Sequence, residues 1–294
     1  MSTATRTASG ADVRPQDEFT SDFHVYEPHR IGLPPLRPYL RELWRRRQFA
    51  REMARTNLRA LHFDTALGQL WLILHPLLLT LVYFLLVDIL RHGTRGPTFF
   101  AHLMAGLFAF HFFSQAVIQG AKSVVGGGRL ILNTAFPRTL LPISSVITAF
   151  MRFLPTLGVY AVVHVLTGLS IGPHLLWAIP IVVVLTVFSA GVTMLVAAVQ
   201  VYFRDLSNFL PYLMRIWLYG SPVLYYYVEV PHRFHWIIDA NPLTPMLASW
   251  SDVLNRGLSP SLSMMAWSLV WAVGALVVGG AFFISREREF AVRL

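Results

Sequence analysis

Residues 175–201 read LLWAIPIVVVLTVFSAGVTMLVAAVQV, 27 positions without a formal charge. Crossing the hydrocarbon core of a bilayer takes about 20 apolar residues. Lipid cannot satisfy open backbone groups, so a stretch of this kind reads as a membrane-crossing helix. Working outward, the pattern repeats. Residues 140–166 precede it, interrupted by Pro142, Arg152 and Pro155. Residues 99–119 hold His102 and His111, and residues 70–90 have only His75 and Asp88 as ionisable groups. On the other side, residues 209–228 contain Arg215 and Pro222, and residues 264–284 are apolar or small throughout. The expected fold is therefore an all-α integral membrane protein with six transmembrane helices.

Composition agrees. Hydrophobic residues make up 55% of the 294 positions and charged residues 13%, against about 25% charged in soluble domains. Mean hydropathy is +0.54. So few charges cannot coat the surface of a soluble enzyme, and lipid is the expected solvent. The chain has no cysteine, which excludes disulfides, Cys-ligated zinc, iron–sulfur clusters and thiol nucleophiles.

The net charge of +9 could suit nucleic acid or anionic lipid. Its distribution decides. With the N-terminus inside, 18 of the 24 basic residues fall in inner segments. Four (Arg91, Arg95, Arg233, Arg256) fall outside, and Arg152 and Arg215 lie within spans. That asymmetry favours both termini cytoplasmic in a multi-pass membrane protein. The basic surplus then reads as topology, and no nucleic-acid partner is expected.

Residues 1–37 are mixed-charge and Ser/Thr-rich, expected to be a mobile cytoplasmic N-terminus. Residues 1–69 carry no apolar run long enough for a signal peptide. Residues 38–69 come next as an interface helix and lead-in, and 70–294 as the transmembrane domain. Between 38 and 59, Leu40, Leu43, Phe49, Met53 and Leu58 alternate with seven arginines. With Trp44, Arg45, Arg46, Arg47 and Arg51 this suits a helix lying in the headgroup plane; a solvated basic helix is the alternative.

Between the last two spans, Pro222 is followed by Tyr225, Tyr226 and Tyr227, and Asn241–Pro242 separates two short apolar pieces, 234–238 and 243–253. Half-length helices around prolines suggest re-entrant segments over about 222–253, forming an outer gate; lipid tolerates these only when packed in protein or lining a cavity. The alternative is an ordinary outer loop.

Motifs of chemistry are missing. The one lysine, Lys122, has no glycine loop before it, and Gly126–Gly128 lacks the lysine and the strand-to-helix context of a phosphate cradle. The chain is not expected to hydrolyse ATP, and no catalytic residue, metal site or cofactor is expected in it. Asp64 and Asp88 stand alone, and His102 and His111 are nine apart, not at metal-ligand spacing. Arg152 lies 12 residues into its span, about 18 Å deep. A central arginine costs about 2.5–3.5 kcal/mol, so it should line a polar cavity or make a structural hydrogen bond. Arg215, near a span end, can snorkel. Two aromatic stripes fall at helical spacing: Phe108, Phe112, Gln115 and Gln119 in the second span, and Phe209, Tyr212, Ile216 and Tyr219 in the fifth. Flat rings along a path would let a sugar polymer slide; the plainer reading is helix packing.

Several stretches together resemble the permease subunit of ABC-2 type polysaccharide exporters. They are Arg55–Thr56–Asn57–Leu58–Arg59, then Thr65–Ala66–Leu67–Gly68–Gln69–Leu70–Trp71 with His75–Pro76; Asn133–Thr134–Ala135–Phe136–Pro137–Arg138; Tyr202–Phe203–Arg204–Asp205–Leu206; and Ser221–Pro222–Val223–Leu224–Tyr225 with Asn241–Pro242–Leu243–Thr244. The resemblance spans about 38–294. It implies a homodimer, two copies of a separate ABC ATPase that binds ATP and Mg, a lipid-linked polysaccharide as cargo, and contact with membrane lipid. It also implies a cytoplasmic coupling helix over about 126–142, with Phe136 as the knob, Arg129 and Arg138 at its rim, Leu132 and Asn133 beside it, and Pro137 ending the helix. The Arg-rich, Lys-poor chain is most similar to the mycobacterial-type galactan branch. Teichoic acid, O-antigen, or a drug or lipid is the alternative cargo, and an enzyme acting on polyprenyl-linked sugars is the alternative class.

Overall fold

In the computed structural model, residues 35–60, 67–90, 92 and 96–293 are described, and among them every regular element is helical. The mobility expected of residues 1–37 falls, up to residue 34, outside the described residues, as does Asp64. Twelve α-helices follow in order: α1 Leu36–Arg45, α2 Arg47–Ala60, α3 Trp71–Leu90, α4 Pro97–Gly126, α5 Gly128–Asn133, α6 Leu140–Leu166, α7 Ala178–Tyr202, α8 Leu206–Tyr219, α9 His235–Asp239, α10 Thr244–Asn255, α11 Leu262–Arg286 and α12 Phe290–Arg293.

Among the described residues, five helical stretches are long and apolar enough to cross a bilayer, built on α3, α4, α6, α7 and α11. The expected fifth span of residues 209–228 has different helical bounds. Its helix, α8, is 14 residues long and stops at Gly220, rising about 21 Å against a core of about 30 Å. Residues 221–223 are apolar or small because they are buried in protein, not because they face lipid. Two other bounds move. The interface helix is two pieces, broken at Arg46, and the expected coupling helix of 126–142 is the six-residue α5.

Local sequence accounts for the ends. Gly96 precedes Pro97 at the first turn of α4, where a missing N–H costs nothing. Gly168, at φ +68°, stops α6 in the left-handed conformation that favours glycine. The Ser261 hydroxyl accepts the Met264 N–H and caps α11. Pro142, Arg152 and Pro155 were expected to interrupt the third span, yet α6 runs unbroken from Leu140 to Leu166. Packing against α4 and α7 compensates for the backbone bond that Pro155 removes.

The core is built around α4, most of whose side chains are buried. It packs on α6 and α7, and α7 packs on α11. The α7–α11 seam closes to backbone contact: a Cβ on Gly279 would sit 2.0 Å from the Gly191 carbonyl oxygen. Lipid gives no hydrophobic drive between helices, so small residues that allow close approach supply the packing. Between α8 and α11, the short helix α10 lies almost wholly buried, with the Trp250 indole N–H donating to the Ala105 carbonyl of α4 at 3.0 Å.

Candidate translocation path and coupling surface

The expected path residues separate into two places. Phe108 and Phe112 are each 2% exposed and lie in the helical core, Phe112 stacked on Phe153 at 5.3 Å between ring centres. Within the single chain both rings are packed between helices and do not face an open path. The reason is that α4 is central, so both sides of its aromatic stripe meet protein. They border a small cavity, about 20 Å³, together with Gln115 and Arg152. Arg152 donates to Gln115 Oε1 at 3.4 Å, and the Gln119 amide donates to the same oxygen at 3.0 Å. Phe209, Tyr212 and Tyr219 instead lie on the exposed face of α8, with Ile216 between them. The structure does not bring the two stripes together in one chain.

At the opposite end of α8, Asn241 holds the chain where it turns back. Its Oδ1 accepts from the Trp217 indole at 2.8 Å and from the Leu243 amide at 3.0 Å. Its Nδ2 donates to the Gly220 carbonyl at 2.8 Å and to Ser221 Oγ at 3.0 Å. One amide thus ties the end of α8 to the start of α10. Pro222 is buried beside Ser221, and Pro242 follows the staple half-buried. Tyr226 lies over the His102 ring at 4.0 Å, and His102 shares a 2.7 Å hydrogen bond with Ser251 of α10. The Tyr225 hydroxyl is directed at the Tyr219 carbonyl, 3.5 Å away, and Tyr227 donates to Asp239 at 2.8 Å. Replacing Asn241 by alanine leaves two acceptors, the Gly220 carbonyl and the Ser221 hydroxyl, and two donors without their partner. At about 1 kcal/mol for each bond, Asn241→Ala is expected to cost about 2–4 kcal/mol. A lowered thermal midpoint in detergent and faster proteolysis between residues 220 and 243 would show it.

The surface around α5 differs from expectation in three ways. Phe136 is half-buried and packs on Phe49 of α2, ring centres 5.3 Å apart, so it is not a free-standing knob. The free apolar side chain is Leu132, 64% exposed, flanked by exposed Asn133 and Arg129. Arg138 turns inward, its backbone N–H donating to the Glu287 carboxylate and its guanidinium to the Glu287 carbonyl. Nor does Pro137 end the helix: α5 stops at Asn133, where Thr134 is extended, and Pro137 is buried four residues on. Phe136 and Pro137 instead wall a cavity with Tyr39 and Glu287.

Tyr39 links α1 to this region, donating to Glu287 Oε2 at 2.5 Å and bonded to Thr139. Burial first, and then the nearby Glu287 carboxylate, push the Tyr39 phenol up, while desolvation pushes the Arg138 guanidinium down against the pull of Glu287. Arg46 reaches the Ala135 carbonyl at 2.7 Å and pairs with Glu42, as Arg45 does. Trp44 is 69% exposed under the Arg47 guanidinium at 4.8 Å, and Arg51 is exposed. Sequence reasoning passed over Tyr39 and Glu287. Their only signal was one glutamate between Arg286 and Arg288, which looks like a solvated charge run.

No group of three metal-binding side chains occurs among the described residues. Long apolar helices, a buried short helix at one end and an exposed short helix between α4 and α6 together describe a membrane transporter subunit. The chain belongs to the ABC-2 type transporter family, whose sequence pattern matches residues 47–255. It is a multi-pass membrane protein and a transporter component, not an enzyme. It is similar to two proteins from Klebsiella pneumoniae described as O-antigen export system permease protein RfbA. Each is 28% identical over 238 residues, covering 80% of this chain and 90% of the relative. A Myxococcus xanthus protein of the same description is 28% identical over 258 residues, covering 86% and 97%.

Proposed function

We propose that the chain is the transmembrane subunit of an ATP-driven exporter that moves a lipid-linked polysaccharide to the outer face of the plasma membrane. The similarity to O-antigen export permeases over nearly their whole length carries the cargo class. Two copies would enclose the path, which gives the exposed rings of α8 a role: facing a second copy, Phe209, Tyr212 and Tyr219 would offer the sliding surface that one chain leaves open. Two ATPase subunits, holding ATP and Mg, would dock at the exposed α5 from the cytoplasmic side, and both termini would lie there too. The α8 helix with the buried α10 would make the sixth crossing and the outer gate. The first two arginine-rich helices would rest in the inner headgroups, with Trp44 in the interface.

The particular polymer we propose is a galactan, on the arginine-rich, lysine-poor composition that resembles the mycobacterial-type branch. Depleting the chain in its host is expected to raise lipid-linked, galactose-containing polymer several-fold on the cytoplasmic side, read by extraction and sugar analysis. The purified chain alone is expected to hydrolyse no ATP. Unchanged lipid-linked polymer after depletion would refute the cargo, and accumulation of a polymer without galactose would refute the galactan while leaving the class.

A further inference from the structure

We infer that Arg152, Gln115, His111 and His75 form a phosphate-binding site at the edge of the bilayer, one that takes the phosphate of a lipid headgroup or of the lipid-linked cargo. The residues come from three helices that pack together, α3, α4 and α6. Arg152, Gln115 and His111 border one small cavity. The His75 ring lies 5.8 Å from the His111 ring and is exposed on the surface of the chain.

Three observations point to an anion. Among the described residues, no carboxylate pairs with Arg152, whose one protein hydrogen bond is the 3.4 Å contact with Gln115. An arginine in a membrane-crossing helix normally finds a partner; this one shares its cavity with the Gln115 amide and the His111 imidazole, and His75 stands behind His111. Neutral imidazole always keeps one N–H, and the guanidinium presents five in a planar fork. The set is therefore rich in donors and poor in negative charge. A phosphoryl group, with several oxygens at fork spacing, suits these donors; the cavity, about 20 Å³, has room for about one such oxygen, so the rest of the group would stay at its mouth.

Depth favours a lipid phosphate. On α3, His75 is four residues beyond Trp71, about 6 Å from the helix start, and tryptophan is common at the membrane interface. By contrast, α4 continues 15 residues past His111, about 22 Å, and α6 begins 12 residues before Arg152, about 18 Å. These two helices project beyond α3. On this register α6 starts outside the bilayer, so Arg152 lies nearer the headgroups than the depth expected from the sequence, and His75 is open to a lipid arriving sideways. The cargo arm of this inference rests on the export reading; the phosphate site itself does not.

The test uses the full chain in detergent, with native mass spectrometry counting bound lipid. Titrations use a long-chain polyprenyl pyrophosphate, phosphatidylglycerol and, as a zwitterionic comparison, phosphatidylcholine. A charge-assisted hydrogen-bond pair is worth about 1.5–3 kcal/mol, so Arg152→Gln is expected to weaken phosphate-lipid binding at least about tenfold. Arg152→Lys keeps the charge but loses the fork, and should give a smaller, measurable loss. It carries the test if Arg152→Gln does not fold. Polyprenyl pyrophosphate binding at least tenfold tighter than phosphatidylglycerol assigns the site to the cargo, and equal binding assigns it to bulk headgroups. Binding of both that is unchanged in both variants overturns the inference. Arg152-dependent binding without polymer accumulation in depleted cells would sink the export reading and leave the site standing.

Discussion

Gly279→Ala is expected to cost more stability than any other single-methyl addition to the membrane helices. The added Cβ would lie 2.0 Å from the Gly191 carbonyl oxygen and 2.9 Å from its carbon, both backbone atoms of α7 that no rotamer change can move. From the other side, a Cβ on Gly191 would meet the backbone of Ala275 and Leu276 at 2.3–2.4 Å. The two helices must then separate by more than an ångström along their longest shared seam. Overpacking a close-packed interior costs about 1–3 kcal/mol where side chains can yield. Here only backbone is available, so a loss at or above the top of that range is expected, enough to remove most folded protein from the membrane. Gly274 is on the same helix with nothing within 4 Å of its Cβ position. Gly274→Ala is therefore expected to be neutral or to stabilise slightly, since glycine is about 1 kcal/mol worse than alanine in a helix. Expression level and thermal midpoint in detergent separate the two variants. Equal midpoints for Gly279→Ala and the parent would show that the seam is not where the structure puts it.

That seam also marks where sequence reading stops. The spans were legible because hydropathy is a local sum: 175–201 needs no knowledge of its neighbours to be placed in lipid. Which helix faces Gly191 is not local, and the glycine pair looks like any two small residues until α7 and α11 are set side by side. The end of the fifth span's helix was missed for a related reason. Pro222, Val223 and Leu224 read as apolar whether they meet lipid or protein, and only the structure shows Pro222 and Val223 buried, Val223 within 3.1 Å of the Gly106 Cβ position on α4. Asn241–Pro242 was legible as punctuation, but not as a staple, because its partners Trp217, Gly220 and Ser221 belong to another helix end. Arg152 was legible as a residue needing polar company. Its neighbours on α3 and α4 were not.

The coupling surface carries the other large effect. Leu132→Asp is expected to abolish export while leaving the protein folded. The reason lies in how α5 divides its side chains. Ile131 is buried among Val124, Leu141 and Phe290 and anchors the helix. Leu132, next to it, stands 64% exposed. An exposed leucine on a six-residue helix adds little to folding, so a carboxylate there costs the isolated chain well under 1 kcal/mol. A docked ATPase subunit would enclose that position, and burying an unpaired carboxylate costs several kcal/mol. If the ATPase docks here as proposed, the complex should fall apart by a hundredfold or more in affinity, and polymer should accumulate inside as expected on depletion. Phe136→Ala should behave differently. Its ring packs on Phe49, so truncation should lower the thermal midpoint by loosening α2, at about 1–3 kcal/mol, with export reduced only as far as the folded amount falls. Co-purification of the ATPase subunit, with the thermal midpoint measured on the same preparation, distinguishes a lost partner from a lost fold. Normal export by Leu132→Asp, or a loss of docking in Phe136→Ala at unchanged midpoint, would return the knob to Phe136.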